Sequence, residues 1–211
     1  MYSAMSEGFS VLHEEYAGYI FDLDGTLVDS MVAHYRAWRM ALAEQGAPEE
    51  VFRKPEFLAH GGCSAQDIVA SLNARYGLEM DADAVAARKR ALYLELIESG
   101  SLEPIRETVE FARRMQGRVP MAIATGSAMP GALASLKSAG LEGLFELIVT
   151  PEMVERGKPF PDIFEEAARR MGVEPGRCLV FEDADPGIEA ARAAGMDWVR
   201  VPPSERLMDE E

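Results

Sequence analysis

Phe21-Asp22-Leu23-Asp24-Gly25-Thr26-Leu27-Val28-Asp29-Ser30 decides the reading of this chain. The run Tyr19-Ile20-Phe21 before Asp22 is short and continuously apolar, as in a strand covered on both faces. Two carboxylates, Asp22 and Asp24, follow at a spacing of two. Strand alternation would aim them the same way, and Gly25 permits a sharp exit of the chain. Anions placed together repel unless a cation or a proton intervenes. Magnesium, which takes oxygen ligands, is one solution. In isolation the pattern is more often a turn in which an aspartate accepts from backbone N–H groups.

Working outward, similar apolar runs recur. Met121-Ala122-Ile123-Ala124 ends at Thr125, Leu147-Ile148-Val149 stands alone, and Leu179-Val180-Phe181 ends at Glu182 and Asp183. Trp198-Val199-Arg200-Val201 reads as a fifth strand. Helical patterns lie between them. Asp162 opens one with an apolar stripe at Ile163, Phe164, Ala167, Ala168 and Met171, stopped by Gly172; another runs from about Pro186 to Ala194. Alternating strands and helices predict an α/β fold, a Rossmann-like doubly wound parallel sheet with ligands at the carboxyl ends of its strands. Residues 32–101 break the alternation and read as helices only. Met31, Tyr35, Trp38 and Leu42 share one helix face, and Val85 to Ile97 is strongly helical. The expected division is a core of residues 1–31 and 102–211 with a helical insertion at 32–101.

Composition narrows the function. The 211 residues carry 36 acidic and 21 basic side chains, a net charge of −15, and most of that excess lies outside the insertion. A surface so acidic excludes a phosphate-backbone nucleic-acid binder and disfavours anionic membranes. No apolar run is long enough to span a bilayer, and the first eighteen residues lack the apolar stretch of a secretory signal. Two cysteines, Cys63 and Cys178, make no disulfide framework and no zinc spacing. The expectation is a reduced, cytoplasmic protein whose thiols are packing residues, acting as a monomer on a small molecule.

Three more motifs fall at strand ends. Thr125-Gly126-Ser127 offers a hydroxyl and free N–H groups to phosphate oxygens, although a helix cap is its commoner use. Gly157-Lys158-Pro159 fixes a lysine on a stiffened segment, where a solvated lysine is the default. Glu182-Asp183-Ala184-Asp185-Pro186-Gly187 offers oxygen donors for a metal, or else caps a helix.

Their order gives them weight. Asp22-Leu23-Asp24-Gly25-Thr26, then Thr125, Lys158-Pro159 and Glu182-Asp183 resembles the haloacid-dehalogenase superfamily of phosphohydrolases, from about Tyr16 to Val201. The segments from Asp29 to Trp38 and from Phe181 to Met196 are similar to its β-phosphoglucomutase-like branch, which carries a helical cap. The second segment is especially similar to bacterial sugar phosphatases acting on fructose 1-phosphate and related esters. The resemblance implies a magnesium-dependent phosphatase. Asp22 would be the nucleophile and Asp24 the general acid/base. Thr125, Gly126 and Lys158 would bind the phosphoryl group. Magnesium would be held by Asp22, the Asp24 carbonyl, Asp183 and Glu182.

Substrate contacts are expected from His34, Ser64 and Lys89. His34 shares a helix face with Trp38, itself expected in the cap core, and Lys89 sits within Arg88-Lys89-Arg90. The loop from His60 to Asp67 resembles the cap specificity loop. It carries Gly61 and Ala65 where mutases of this branch have a lysine and an arginine for a second phosphate. Without those two charge-assisted hydrogen bonds the hold on a bisphosphate would weaken by about 1.5–3 kcal/mol for each. That favours release to water over a mutase reaction, with His60, Ser64 and Gln66 left to meet neutral hydroxyls.

Overall fold

Gly18–Phe21 (β1) is the central strand of a five-stranded sheet, between Met121–Ala124 (β4) on one side and Cys178–Glu182 (β6) on the other. Ile148–Val149 (β5) and Asp197–Arg200 (β7) complete the order β5-β4-β1-β6-β7, every pair parallel. The computed structural model describes residues 16–98, 100–203 and 206–207. The first fifteen residues, read above as part of a segment without a secretory signal, lie outside the described residues. No helix among the described residues is long and apolar enough to cross a membrane.

The two faces of β1 explain its unbroken apolar character. Tyr19 and Phe21 point into one core with Phe111 and Met115 of Arg106–Met115 (α5) and Leu136 of Met129–Ser138 (α6). Ile20 points into the other, with Phe164 and Ala168 of Asp162–Met171 (α7) and Ala191 of Asp185–Ala193 (α8). Phe21 stacks on Phe181 at 4.7 Å and 8°, so adjacent parallel strands are also tied through their side chains. Gly172, at φ 69°, ends α7 as the sequence suggested.

A two-stranded antiparallel ribbon, Val28–Asp29 (β2) with Glu103–Pro104 (β3), marks where the chain leaves and re-enters the sheet layer. Between its strands run Met31–Glu44 (α1), Lys54–Ala59 (α2), Ala65–Tyr76 (α3) and Ala82–Glu98 (α4). They enclose a separate apolar cluster containing Met31, Tyr35, Trp38 and Leu42. Trp38 is buried against Phe52. Helix α4 rests on α6 through a buried hydrogen bond between the Tyr93 and Ser135 hydroxyls at 2.7 Å.

Leu207, from beyond β7, is buried in this helical cluster, and Arg206 beside it pairs with Glu103 of β3 at 3.2 Å. The C-terminal segment thus fastens the helices from outside the ribbon. Leu207→Ala should lower stability by about 2–5 kcal/mol, the range for truncating a buried leucine. An unchanged denaturation midpoint would show that this anchor contributes nothing.

Candidate active site

The chain turns sharply after β1 because Gly25 adopts φ 91°. A β-carbon there would also stand 2.4 Å from Asp183 Oδ2, so no other residue fits. The turn separates the environments of the two carboxylates that strand alternation would have kept together.

Asp22 sits at the carboxyl end of β1 and is almost wholly buried. Its Oδ1 accepts from Lys158 Nζ at 2.7 Å, and the same ammonium donates to Glu182 Oε2 at 2.7 Å. Glu182 ends β6, the neighbouring strand, and Asp183 follows it. Asp22, Glu182 and Asp183 each bring a carboxylate oxygen within 4.8 Å of the others. Burial, and then the charge of Glu182, push Asp22 well above the usual carboxylate range; Asp183 is raised for the same reasons. Burial works against the Lys158 ammonium too, but Asp22 and Glu182 outweigh it and raise its pKa, so the lysine stays charged. One lysine cannot balance three acids set so close together, two of them buried. A divalent cation with oxygen ligands fits the donor set.

Asp24 faces away from that cluster. Ser30 donates to its Oδ1 and Ser127 to its Oδ2, both at 2.6 Å. His34 Nε2 lies 2.9 Å from Oδ1, without the alignment of a hydrogen bond. Burial alone would raise Asp24; His34 and the two serines reverse this and hold it well below the usual range. Behind His34, Lys89 Nζ approaches Nδ1 at 2.7 Å, and the Tyr93 ring stacks on the imidazole at 3.9 Å. Burial and Lys89 lower the pKa of His34, and burial lowers that of Lys89 to about 8.

Thr125 follows β4, buried beside Asp22's strand, and its Oγ1 accepts from the Ser127 N–H at 3.0 Å. Its hydroxyl proton remains available for an acceptor in the cleft. At Gly126 a β-carbon would lie 2.3 Å from the Gly62 carbonyl oxygen. The loop after α2 therefore rests directly on the Thr125–Ser127 turn, and the helices close over the site.

The structure brings together Asp22, Asp24, Thr125, Gly126, Lys158, Glu182 and Asp183, all taken from the motifs. His34, Ser64 and Lys89 also border the same cleft of about 360 Å³. Their side chains are already committed, however. His34 and Lys89 serve Asp24 rather than standing free for a hydroxyl. Ser64 is the N-cap of α3, accepting from the Asp67 N–H and donating to Asp67 Oδ2 at 2.6 Å. Both ring nitrogens of His60 are engaged, with the Glu56 carbonyl at 2.9 Å and Ser71 Oγ at 3.1 Å. Ser30 and Ser127 stand inside the quoted motifs but carry no role in the sequence reading, and Tyr93 is not named there.

The missing lysine of the cap loop has a steric cause. A β-carbon at Gly61 would stand 2.6 Å from Ala184 Cβ, so a lysine there would force the loop off the core. Arg36 lines a different groove, with Met40 and Phe52. Cys63 and Cys178 are free thiols, and burial raises each to about 11, consistent with packing rather than reactivity.

A doubly wound sheet with acids at the ends of β1 and β6, a lysine between them and a helical cover defines a haloacid-dehalogenase-type hydrolase. The family model for haloacid dehalogenase-like hydrolases matches residues 16–195, and the chain belongs to this family. A fructose-1-phosphate phosphatase of Escherichia coli (strain K12) is 39% identical over 190 residues, covering 90% of this chain and 98% of the relative. A hexitol phosphatase of the same organism is 36% identical over 186 residues, 87% of this chain and 82% of the relative. The crystal structure of a hydrolase from Pseudomonas syringae superposes with a TM-score of 0.79 at 29% identity, covering 87% of this chain and 84% of that one.

Proposed function

We propose that the protein is a magnesium-dependent phosphatase that hydrolyses small sugar-phosphate monoesters through an aspartyl-phosphate on Asp22. The observation that carries this reading is the opposite setting of two carboxylates from one turn. Asp22 lies against Lys158, where a nucleophile can meet a phosphoryl group with its charge screened. Asp24 lies against His34 and Ser127, where it can exchange protons. The kinship with sugar-phosphate and hexitol phosphatases supports the substrate class.

In the first step an Asp22 oxygen attacks phosphorus and the ester P–O bond breaks. Asp24, entering protonated, gives its proton to the leaving sugar oxygen. In the second step water attacks the phosphorus of the aspartyl-phosphate, Asp24 takes the water's proton, and phosphate and free Asp22 are released. The anionic Asp24 of the structure is the form ready for this second step. Thr125, the Gly126 N–H and Lys158 hold the non-bridging oxygens. Asp22, Glu182, Asp183 and the Asp24 carbonyl would hold magnesium, which supplies charge neutralisation at the phosphoryl group.

Asp24→Ala tests the assignment through the leaving group. Turnover of a sugar phosphate should fall at least about a hundredfold. Phosphorylation by p-nitrophenyl phosphate should survive, because nitrophenolate departs without a proton. A burst of nitrophenolate followed by slow turnover is expected in stopped flow. Equal losses on both substrates with no burst would remove Asp24 as the acid/base.

A further inference from the structure

Helix α4 turns one face, Ala86, Lys89, Arg90 and Tyr93, toward the catalytic cleft. The spacing of 3, 1 and 3 residues is that of a single helical stripe. Lys89 is occupied by His34, but Arg90 has no hydrogen bond or ion pair among the described residues. It is close enough for its charge to act on Lys89. Gln66, in the first turn of α3, also lines the cleft, and its side chain makes only a long 3.5 Å approach to Asp83 among the described residues. From the sheet side the segment after β5 contributes Glu152 and Glu155, both exposed and neither paired among the described residues. Asp67 stands beside Gln66 with one carboxylate oxygen given to Ser64.

This rim therefore combines one guanidinium and one amide with three carboxylates. A hydroxyl both donates and accepts, so a chain of hydroxyls can use every one of these groups. A second phosphate or a carboxylate would gain one arginine and meet three like charges, in a protein already strongly acidic.

We propose that Arg90 and Gln66 on the cap and Glu152 and Glu155 on the core form a specificity subsite for a neutral, polyhydroxylated leaving group. The subsite admits sugar and polyol monophosphates and rejects sugar bisphosphates and phosphorylated sugar acids. This rests on the phosphatase reading and extends it: discrimination comes from carboxylates on the core rim as well as from the missing cations of the cap loop. The sequence concealed the feature because Arg90 is one of three consecutive basic residues, and Glu152 and Glu155 sit in a segment without a motif.

The test compares kcat/KM for a hexitol monophosphate, fructose 1-phosphate, fructose 1,6-bisphosphate and p-nitrophenyl phosphate, which has no hydroxyl chain. Wild type should prefer the monophosphates to the bisphosphate at least tenfold. Arg90→Ala should lower the ratio of kcat/KM for hexitol phosphate to that for p-nitrophenyl phosphate about tenfold, mainly through KM. The double variant Glu152→Gln, Glu155→Gln should narrow the preference against bisphosphate several-fold. A wild-type preference below twofold, or an Arg90→Ala ratio equal to wild type, would overturn the subsite while leaving the phosphatase reading intact. Failure to release phosphate from any ester, p-nitrophenyl phosphate included, would overturn both.

Discussion

Asp22→Asn is expected to reduce phosphate release about a thousandfold or more while leaving the protein folded. The amide is a poor nucleophile and a weaker ligand for a hard cation, so both demands made on this position fail together. Stability should move the other way. Asp22 is held among Glu182 and Asp183 with one lysine shared between two of the three. Replacing one of the three acids with a neutral group of the same shape relieves repulsion, and Lys158 keeps its pairing with Glu182. In the presence of a chelator the melting temperature of the variant should match or exceed that of wild type. A variant retaining a tenth of wild-type turnover would remove Asp22 as the nucleophile. A large fall in melting temperature would mean instead that the drop in activity reported unfolding.

Much of this site is legible in the sequence because it depends on strand ends. A continuous apolar run marks a buried parallel strand, and the polar residue after it must emerge at the carboxyl edge of the sheet. That places Asp22, Thr125 and Glu182 side by side once β4 and β6 flank β1. Gly172 could be read as a helix stop because only glycine enters the left-handed region without strain. What escaped is set by how the helices close over the sheet. Strand alternation would give Asp22 and Asp24 a common direction, but the chain is no longer a strand at Asp24; the turn at Gly25 hands it to Ser30, His34 and Ser127. A histidine on an exposed-looking helix and a lysine inside Arg88-Lys89-Arg90 give no sign that they meet end to end at 2.7 Å. His60 looked available to substrate because its partner Ser71 becomes a neighbour only when α3 packs against the loop before it, whereas Ser64 is taken up locally, as the cap of α3 three residues before Asp67.

Lys158→Met should be the most damaging single change to the fold of the site. The ammonium is fully buried and is the cation in direct contact with Asp22 and Glu182. Removing one side of a buried ion pair leaves uncompensated charge and costs about 3–5 kcal/mol. Methionine nearly preserves the volume, so the loss would be electrostatic rather than a cavity. Its pH dependence follows from the carboxylates. Asp22 and Asp183 already titrate above the usual range, chiefly through burial, and Lys158 opposes that rise in both. Without it they rise further, so the folded protein binds more protons than the unfolded chain from the ordinary aspartate range upward. Proton uptake then stabilises the variant at low pH, and this contribution is lost as pH rises through the raised values. The deficit in melting temperature against wild type should accordingly be small near pH 5 and large near pH 8. Magnesium chloride should recover part of the pH 8 deficit, since a cation bound only by the folded state stabilises it by mass action. Catalysis should not recover, because a metal among the carboxylates does not replace the lysine's hold on the phosphoryl oxygens. A deficit independent of pH and untouched by magnesium would show that Lys158 holds the site by packing, and that the three acids are not the charged cluster their geometry describes.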